Sequence, residues 1–345
     1  MYLVTGATGF YGIHTVKVLL EKGFEVVAAD LVPFPQEVYR YFTSEELTRL
    51  TFAQCDVSQS EEVRSLFREY RIEKIIHAAA ITMLEDEEAG NERHIIETNA
   101  LGTLNLLEAA RESGLKRFIY ISSSGVYGAY GHGTIPVHEA VPIYPGVTSI
   151  YCACKLFSEI LCQNFHNHGA FRVVIARIGS PYGPWERPSR TRKNMSSIYR
   201  LVELGMQKRH VRVFGRGCVR DWTHMRDIAR ATVLLATCPS ERLRYVVYNV
   251  ASGTTTSIEY IVRKLEELIP GSSYKFVDHV EEADCVVSSP PQYARGPLDI
   301  SRLREDTEFY PEFNIDKGLE DYVRWWREFW CKGESNGLYT EGGCT

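Results

Sequence analysis

Along the first half of the chain, short apolar runs alternate with longer segments whose apolar positions recur at helical spacing. The runs "MYLV", "FEVVAAD", "LTFAQCDV", "KIIHAAA" and "KRFIYISSS" read as buried strands. Between the first two, Ile13, Val16, Val18, Leu19 and Leu20 form a mostly apolar segment that stops at Gly23, which reads as a helix C-cap. The segments "SEEVRSLFREY" and "NALGTLNLLEAARESG" read as further helices. Strand and helix in strict alternation predict right-handed crossovers and a parallel sheet covered on both faces, a doubly wound α/β fold. No internal repeat or low-complexity block interrupts the pattern. The polar tail 331–345, "CKGESNGLYTEGGCT", is expected to be mobile.

Composition narrows the class. The chain has 345 residues, enough for a large core in one composite or two domains. With 44% hydrophobic and 24% charged residues and a formal net charge of -5, neither disorder nor nucleic-acid binding is favoured. No apolar run is long enough to span a bilayer, and the N-terminus reads as a fold strand rather than a signal peptide, so a cytoplasmic location is expected. The nine cysteines are scattered. Cys152, Cys154 and Cys162 fall in one predicted helix without a matching second cluster, so they read as packing thiols and no metal is expected.

The stretch "VTGATGFYG" places Gly6, Gly9 and Gly12 between the first strand and the first helix. Glycines there let main-chain amides approach a pyrophosphate without a Cβ in the way. A tight turn with incidental glycines is the competing reading of the triplet by itself. The second strand, however, ends in Asp30, roughly twenty residues on, where a carboxylate can accept hydrogen bonds from an adenosine ribose and repel a 2′-phosphate. The pair points to NAD rather than NADP.

Further along, "YCACK" sets Tyr151 and Lys155 at i and i+4, on one helix face. A phenol ordinarily titrates near 10, and a neighbouring ammonium together with a cationic nicotinamide favours the phenolate, so Tyr151 can serve as a base.

With these residues in place the sequence resembles the extended short-chain dehydrogenase/reductase family, the NAD-dependent epimerases and dehydratases, and within it the sugar-nucleotide 4-epimerases. The resemblance rests on "TGATGFYG", Asp30, "CDV" at 55–57, "HAAA" at 77–80, Asn99, "SSSGVYG", and Tyr151 with Lys155. It implies a Rossmann domain over 1–176, rejoined by 218–250, and a smaller α+β substrate lobe from 177–217 and 251–330. It further implies that NAD is held by Gly6, Gly9, Phe10, Tyr11, Gly12, Asp30, Asp56, Val57, Ala78, Ala79, Asn99, Tyr151, Lys155 and Ile178. Arg220 and Arg295 fall where relatives hold the diphosphate of a sugar nucleotide. Two apolar-faced helices, near 104–110 and 156–165, match the pair that relatives bring together across a two-fold axis, which implies a homodimer.

Family members carry a catalytic Ser or Thr three residues before the valine of "VYG", so the resemblance implies Ser123 as the hydroxyl that works with Tyr151, with Ser124 as the fallback and a substrate contact. Relatives that dehydrate or decarboxylate carry acids immediately before "VYG", where this chain has Ser124 and Gly125. That argues against both reactions. Epimerisation at C4 through a transient ketone remains, with net oxidation of a sugar or hydroxy acid as the alternative. The strand end reads Arg177, Ile178, Gly179, Ser180, without the asparagine that sugar-nucleotide epimerases usually show there. On the other side stands "ERPSRTRKN", where Arg187, Arg190, Arg192 and Lys193, with Asn194, could clamp a diphosphate or carboxylate if they face inward. A solvated basic loop is the other reading.

Overall fold

The computed structural model describes residues 1–83, 88–131, 133, 135–143, 149–189, 191–193, 195–287 and 295–330. The tail 331–345, Arg190 and Asn194 lie outside them.

Seven parallel strands form the main sheet. In chain order its first six are β1 (Tyr2–Thr5), β2 (Val26–Asp30), β3 (Leu50–Gln54), β4 (Lys74–His77), β5 (Arg117–Ser123) and β6 (Arg172–Ile178). A seventh, Val247–Val250, joins beyond β6, giving the spatial order seventh strand, β6, β5, β4, β1, β2, β3. β1 and β5 are almost wholly buried, as strands with helices on both faces must be, and so carry continuous apolar runs rather than an alternating pattern. β3, at an edge, exposes Thr51 and Gln54 while Ala53 is buried.

Neighbouring side chains along each strand feed opposite cores. Val4, Ala28, Ile76 and Ile119 pack towards the first helix, α1 (Phe10–Glu21), and the Met225–Thr237 helix. Leu3, Val27, Ile75 and Phe118 pack towards the Gly102–Ser113 and Ile150–Asn167 helices. The first predicted helix ends where expected: Lys22 is its C-cap and Gly23 follows at φ +81. Unforeseen were two helical turns after β2, Gln36–Tyr39 and Ser44–Leu47, and a π turn, Glu97–Leu101, leading into the Gly102–Ser113 helix.

Smaller sheets sit beyond the carboxyl ends of the main strands. Ser180–Tyr182 pairs with Trp222–His224, Val219–Arg220 with Thr256–Ser257, and His210–Phe214 lies between Ser273–Val277 and Cys285–Val286. No described helix is long and apolar enough to cross a membrane.

A buried ion pair fastens the Ile150–Asn167 helix to the sheet. Arg177 on β6 meets Glu159 at 2.6 Å and again at 2.9 Å, with side chains only 3% and 1% exposed. Ser122 on β5 donates to the same carboxylate at 2.5 Å. Removing one charge leaves the other buried and uncompensated, which costs about 3–5 kcal/mol. Glu159→Gln should therefore lower the unfolding free energy by that order in urea titration, and a loss below about 1 kcal/mol would show the pair to be dispensable.

Candidate active site

At the end of β1 the chain turns through Gly6, at φ +66, where a side chain would bring a Cβ to 2.7 Å from the backbone nitrogen of Ala79. Gly12 is tighter: a Cβ there would lie 2.1 Å from the Gly6 carbonyl oxygen. Gly9 is the extended N-cap of α1, and no side chain caps that helix. The first-turn amides thus lack a side-chain acceptor at the carboxyl edge of the sheet, a donor set that suits a pyrophosphate. Phe10 and Tyr11 put their side chains into the core.

Asp30 ends β2 beside this turn. Its carboxylate accepts from Thr8 N at 3.0 Å and Leu31 N at 2.8 Å, and burial raises its pKa while these bonds and the Arg187 charge lower it. Cys55 N donates to the Asp30 carbonyl at 3.0 Å, which brings Asp56 and Val57 alongside. Asp56 itself accepts from Ser58 N and Oγ at 2.9 and 2.7 Å. The wall at Ala78 and Ala79 is set from below. Thr5 Oγ1 accepts from both amides at 3.3 Å and lies 2.7 Å from His77 Nδ1. Burial pushes His77 down to about 3, so the ring is neutral; its Nε2 lies 3.0 Å from Thr103 Oγ1, which donates to Asn99 O. Asn99 spends its amide on the Ile81 backbone, accepting at 2.7 Å and donating at 3.0 Å. It shapes the wall from within the π turn.

The expected catalytic residues converge at the carboxyl end of β5. Ser123 Oγ accepts from Gly125 N at 3.0 Å and is near enough to the Tyr151 phenol to lower its pKa. Ile178 is its register partner on β6. Burial and nearby Cys152 raise the Tyr151 phenol above its ordinary value, against the charge of Arg192 and the Ser123 hydroxyl. The Lys155 ammonium stands 5.6 Å from the centre of the Tyr151 ring and donates to Ile121 O at 2.7 Å. Burial pushes it down to about 8, opposed by the nearby cysteines and Glu159. Lys155 therefore lies beside the ring and bonds to a strand carbonyl.

Towards the small sheets, Ser124, Ser180, Asp221, Arg295 and Leu298 line one cleft. Asp221 organises it: its carboxylate accepts from Ser252 Oγ at 2.5 Å, Thr223 Oγ1 at 3.0 Å, Gly253 N at 3.0 Å and Leu298 N at 3.2 Å. Arg295 is anchored by its own amide to Val219 O at 3.0 Å, and burial together with the neighbouring Arg220 charge lowers its pKa. Arg220 Nε is buried without a hydrogen-bond partner. Two half-buried guanidinium groups near each other form a site that an anion would stabilise.

The basic run, expected as one clamp, is divided. Arg187 reaches back to the glycine turn and donates to Thr8 O at 2.9 Å, with its charge felt by Asp30. That bond sets it beside the glycine turn, apart from Arg192 and its partner Glu186. Arg192 is paired with buried Glu186 at 2.7 Å and stacks 5.3 Å from the centre of Phe10. Lys193 is exposed. His77 was marked in the sequence only as part of "HAAA"; Asp221, Glu159 and Thr103 were not singled out, and their local signal was polar residues inside otherwise apolar elements.

An uncapped helix N-terminus, an acid closing β2, and a Ser–Tyr–Lys group at the next sheet edge define a dinucleotide-dependent enzyme of the short-chain dehydrogenase/reductase type. Residues 2–251 match the NAD dependent epimerase/dehydratase family, and the chain belongs to it. It is 29% identical over 333 residues to UDP-glucuronate 4-epimerase of Thermodesulfobacterium geofontis, covering 95% of this chain and 96% of that one. It is also 29% identical to dTDP-glucose 4,6-dehydratase of Streptomyces niveus, covering 94% and 92%. Among solved structures, UDP-glucuronic acid 4-epimerase from Bacillus cereus in complex with UDP-glucuronic acid and NAD superposes with a TM-score of 0.77 at 27% identity, covering 95% and 99%. NAD is the cofactor of this family, and the turn, Asp30 and the Ala78–Ala79 wall fit it.

Tyr151→Phe removes a single oxygen, so NAD affinity should stay within about threefold while turnover falls by roughly two to four orders of magnitude, the scale of a positioned acid/base group. Lys155→Ala should weaken both. Steady-state kinetics with calorimetric NAD titration checks this, and a Tyr151→Phe enzyme keeping more than about a tenth of wild-type activity would assign the proton to another group.

Proposed function

We propose that this enzyme epimerises a nucleotide sugar, at C4, through a transient ketone. The observation that carries the reading is Arg295, which lines one cleft with Ser124, the neighbour of Ser123, and feels the charge of Arg220 beside it. A diphosphate would satisfy both guanidinium groups and lay the sugar towards the phenol. The named relatives and the Bacillus cereus complex support this substrate class.

NAD, when bound, supplies the hydride acceptor and donor and a positive ring charge. The chain's part is to move a proton and hold geometry. Ser123 holds the reacting hydroxyl, Tyr151 takes its proton and later returns it, and Lys155 favours the phenolate while bonded to the β5 carbonyl. Dehydration and decarboxylation call for a further acid at 124–125, where serine and glycine stand. At Gly125 a Cβ would lie 2.6 Å from Cys152 Sγ, so a side chain there would require that thiol to move.

With UDP-glucuronate or UDP-glucose, the C4 epimer should form by NMR without build-up of NADH absorbance. NADH accumulating in step with substrate loss would instead mark a dehydrogenase. Arg220→Ala and Arg295→Ala should each raise KM about tenfold or more with NAD affinity unchanged, since truncating one side of a desolvated charge pair costs about 2–5 kcal/mol. If both are silent, the substrate carries no diphosphate at this site.

We also infer a homodimer. Leu101, Phe157 and Ile160 are 44%, 48% and 58% exposed, on the π turn before the Gly102–Ser113 helix and on the Ile150–Asn167 helix. Paired across a two-fold axis they would be covered. Sedimentation at micromolar concentration should give twice the monomer mass, and Ile160→Asp should restore the monomer.

A further inference from the structure

Glu88 precedes Tyr151 by 63 positions, yet its carboxylate closes on the first turn of the helix that carries the phenol. One oxygen accepts from Ser149 Oγ at 2.8 Å and from the amide of Tyr151 itself at 3.0 Å; the other accepts from Ile150 N at 2.8 Å. The side chain is buried, and Ser149 completes the set by accepting from Cys152 N at 3.4 Å. Three amides that a helix start ordinarily leaves without partners are thus served by one hydroxyl and one carboxylate drawn from another part of the chain.

The same stretch grips the helix a second time. Asn91 N bonds back to Glu88 O, and the chain runs on through the Glu92–Ile96 helix into the π turn that holds Asn99. There the Asn99 carbonyl accepts from Ser158 Oγ at 3.0 Å, about two turns beyond Tyr151 on the same helix. The Asn99 side chain meanwhile fixes Ile81, next to the Ala78–Ala79 wall. One segment therefore sets the height of the catalytic helix and the position of the cofactor wall together.

We propose that Glu88 is a positioning residue for catalysis, holding the Tyr151 backbone so that the phenol stays in register with Ser123. It touches neither substrate nor cofactor; it acts through the amide of the residue that moves the proton. A displacement of about 1 Å at a reacting group can lower turnover by roughly a hundredfold. Loss of this grip should therefore appear in turnover rather than in binding. The inference rests on Tyr151 being the proton-transfer group.

The test compares Glu88→Gln, Glu88→Ala, Ser149→Ala and Tyr151→Phe in one epimerase assay, with NAD affinity and thermal unfolding measured in parallel. Glutamine keeps the volume but turns an amide NH2 towards a backbone donor, so Glu88→Gln should lower kcat by about ten- to a hundredfold while KM and the NAD Kd stay within about threefold. Ser149→Ala removes one arm of the clamp and should lower kcat in the same direction by a smaller factor. Should both Glu88 variants fail to fold, Ser149→Ala decides alone. Wild-type kcat in Glu88→Gln, or in Ser149→Ala when the Glu88 variants are unfolded, overturns the proposal, as does a loss confined to KM or Kd. An active Tyr151→Phe enzyme instead sinks the base assignment beneath it, so the two failures are distinguishable.

Discussion

The contact between Arg177 and Glu159 joins the three parts of the molecule that have to agree for chemistry to occur. Arg177 stands near the carboxyl end of β6, Glu159 two turns past Tyr151 on the helix opposite, and Ser122 in between on β5 immediately before Ser123. The guanidinium also lies 4.8 Å from the centre of the Tyr127 ring, whose hydroxyl donates to Asn249 on the seventh strand at 2.6 Å, and it reaches Glu139 O at 3.3 Å. A buried pair of this kind is a poor source of net stability, because desolvation offsets most of its attraction. Its value lies in specificity: only one rotation and one height of the helix let a planar guanidinium meet the carboxylate at two points.

Glu88 and Asp221 follow the same logic elsewhere. Each is a buried carboxylate whose oxygens are filled by backbone amides and hydroxyls rather than by a cation. Together with the Thr5–His77–Thr103 chain, they hold the cofactor wall, the catalytic helix and the cleft by hydrogen bonds made inside low-dielectric surroundings, where an unmet partner is costly. Of these, Asp221 lines the cleft itself, while Glu88 and the Thr5–His77–Thr103 chain act through backbone amides.

That division explains which parts of the molecule could be read from sequence. β1, β2, β4 and β5, the glycine turn, Asp30 and the Tyr151–Lys155 spacing are local patterns, each governed by backbone sterics or one helix face, and they emerge where the sequence puts them. Arg187 does not. Its charge density suggested a cleft clamp, whereas its contact is a carbonyl 179 positions away, and nothing in the run "ERPSRTRKN" encodes that distance. Glu88, Glu159 and Asp221 were equally silent, since a capping carboxylate drawn from 61 residues upstream leaves no motif of the kind that a capping box does.

The electrostatics impose a last constraint on the chemistry. Burial raises the Tyr151 phenol and lowers the Lys155 ammonium, so both groups are driven towards their neutral forms. The opposing influences within the chain, Arg192 and the Ser123 hydroxyl, act from the side, and Arg192 is itself partly neutralised by Glu186. Positive charge close to the ring and shielded from water, from Lys155 or from a bound cofactor, would oppose that effect of burial. The uncapped N-terminus of α1 and the Ala78–Ala79 wall face that same sheet edge, where the family's cofactor belongs. With Tyr151 as the proposed base, burial and the cofactor's charge act on its phenol in opposite directions, so binding of the cofactor would favour proton removal.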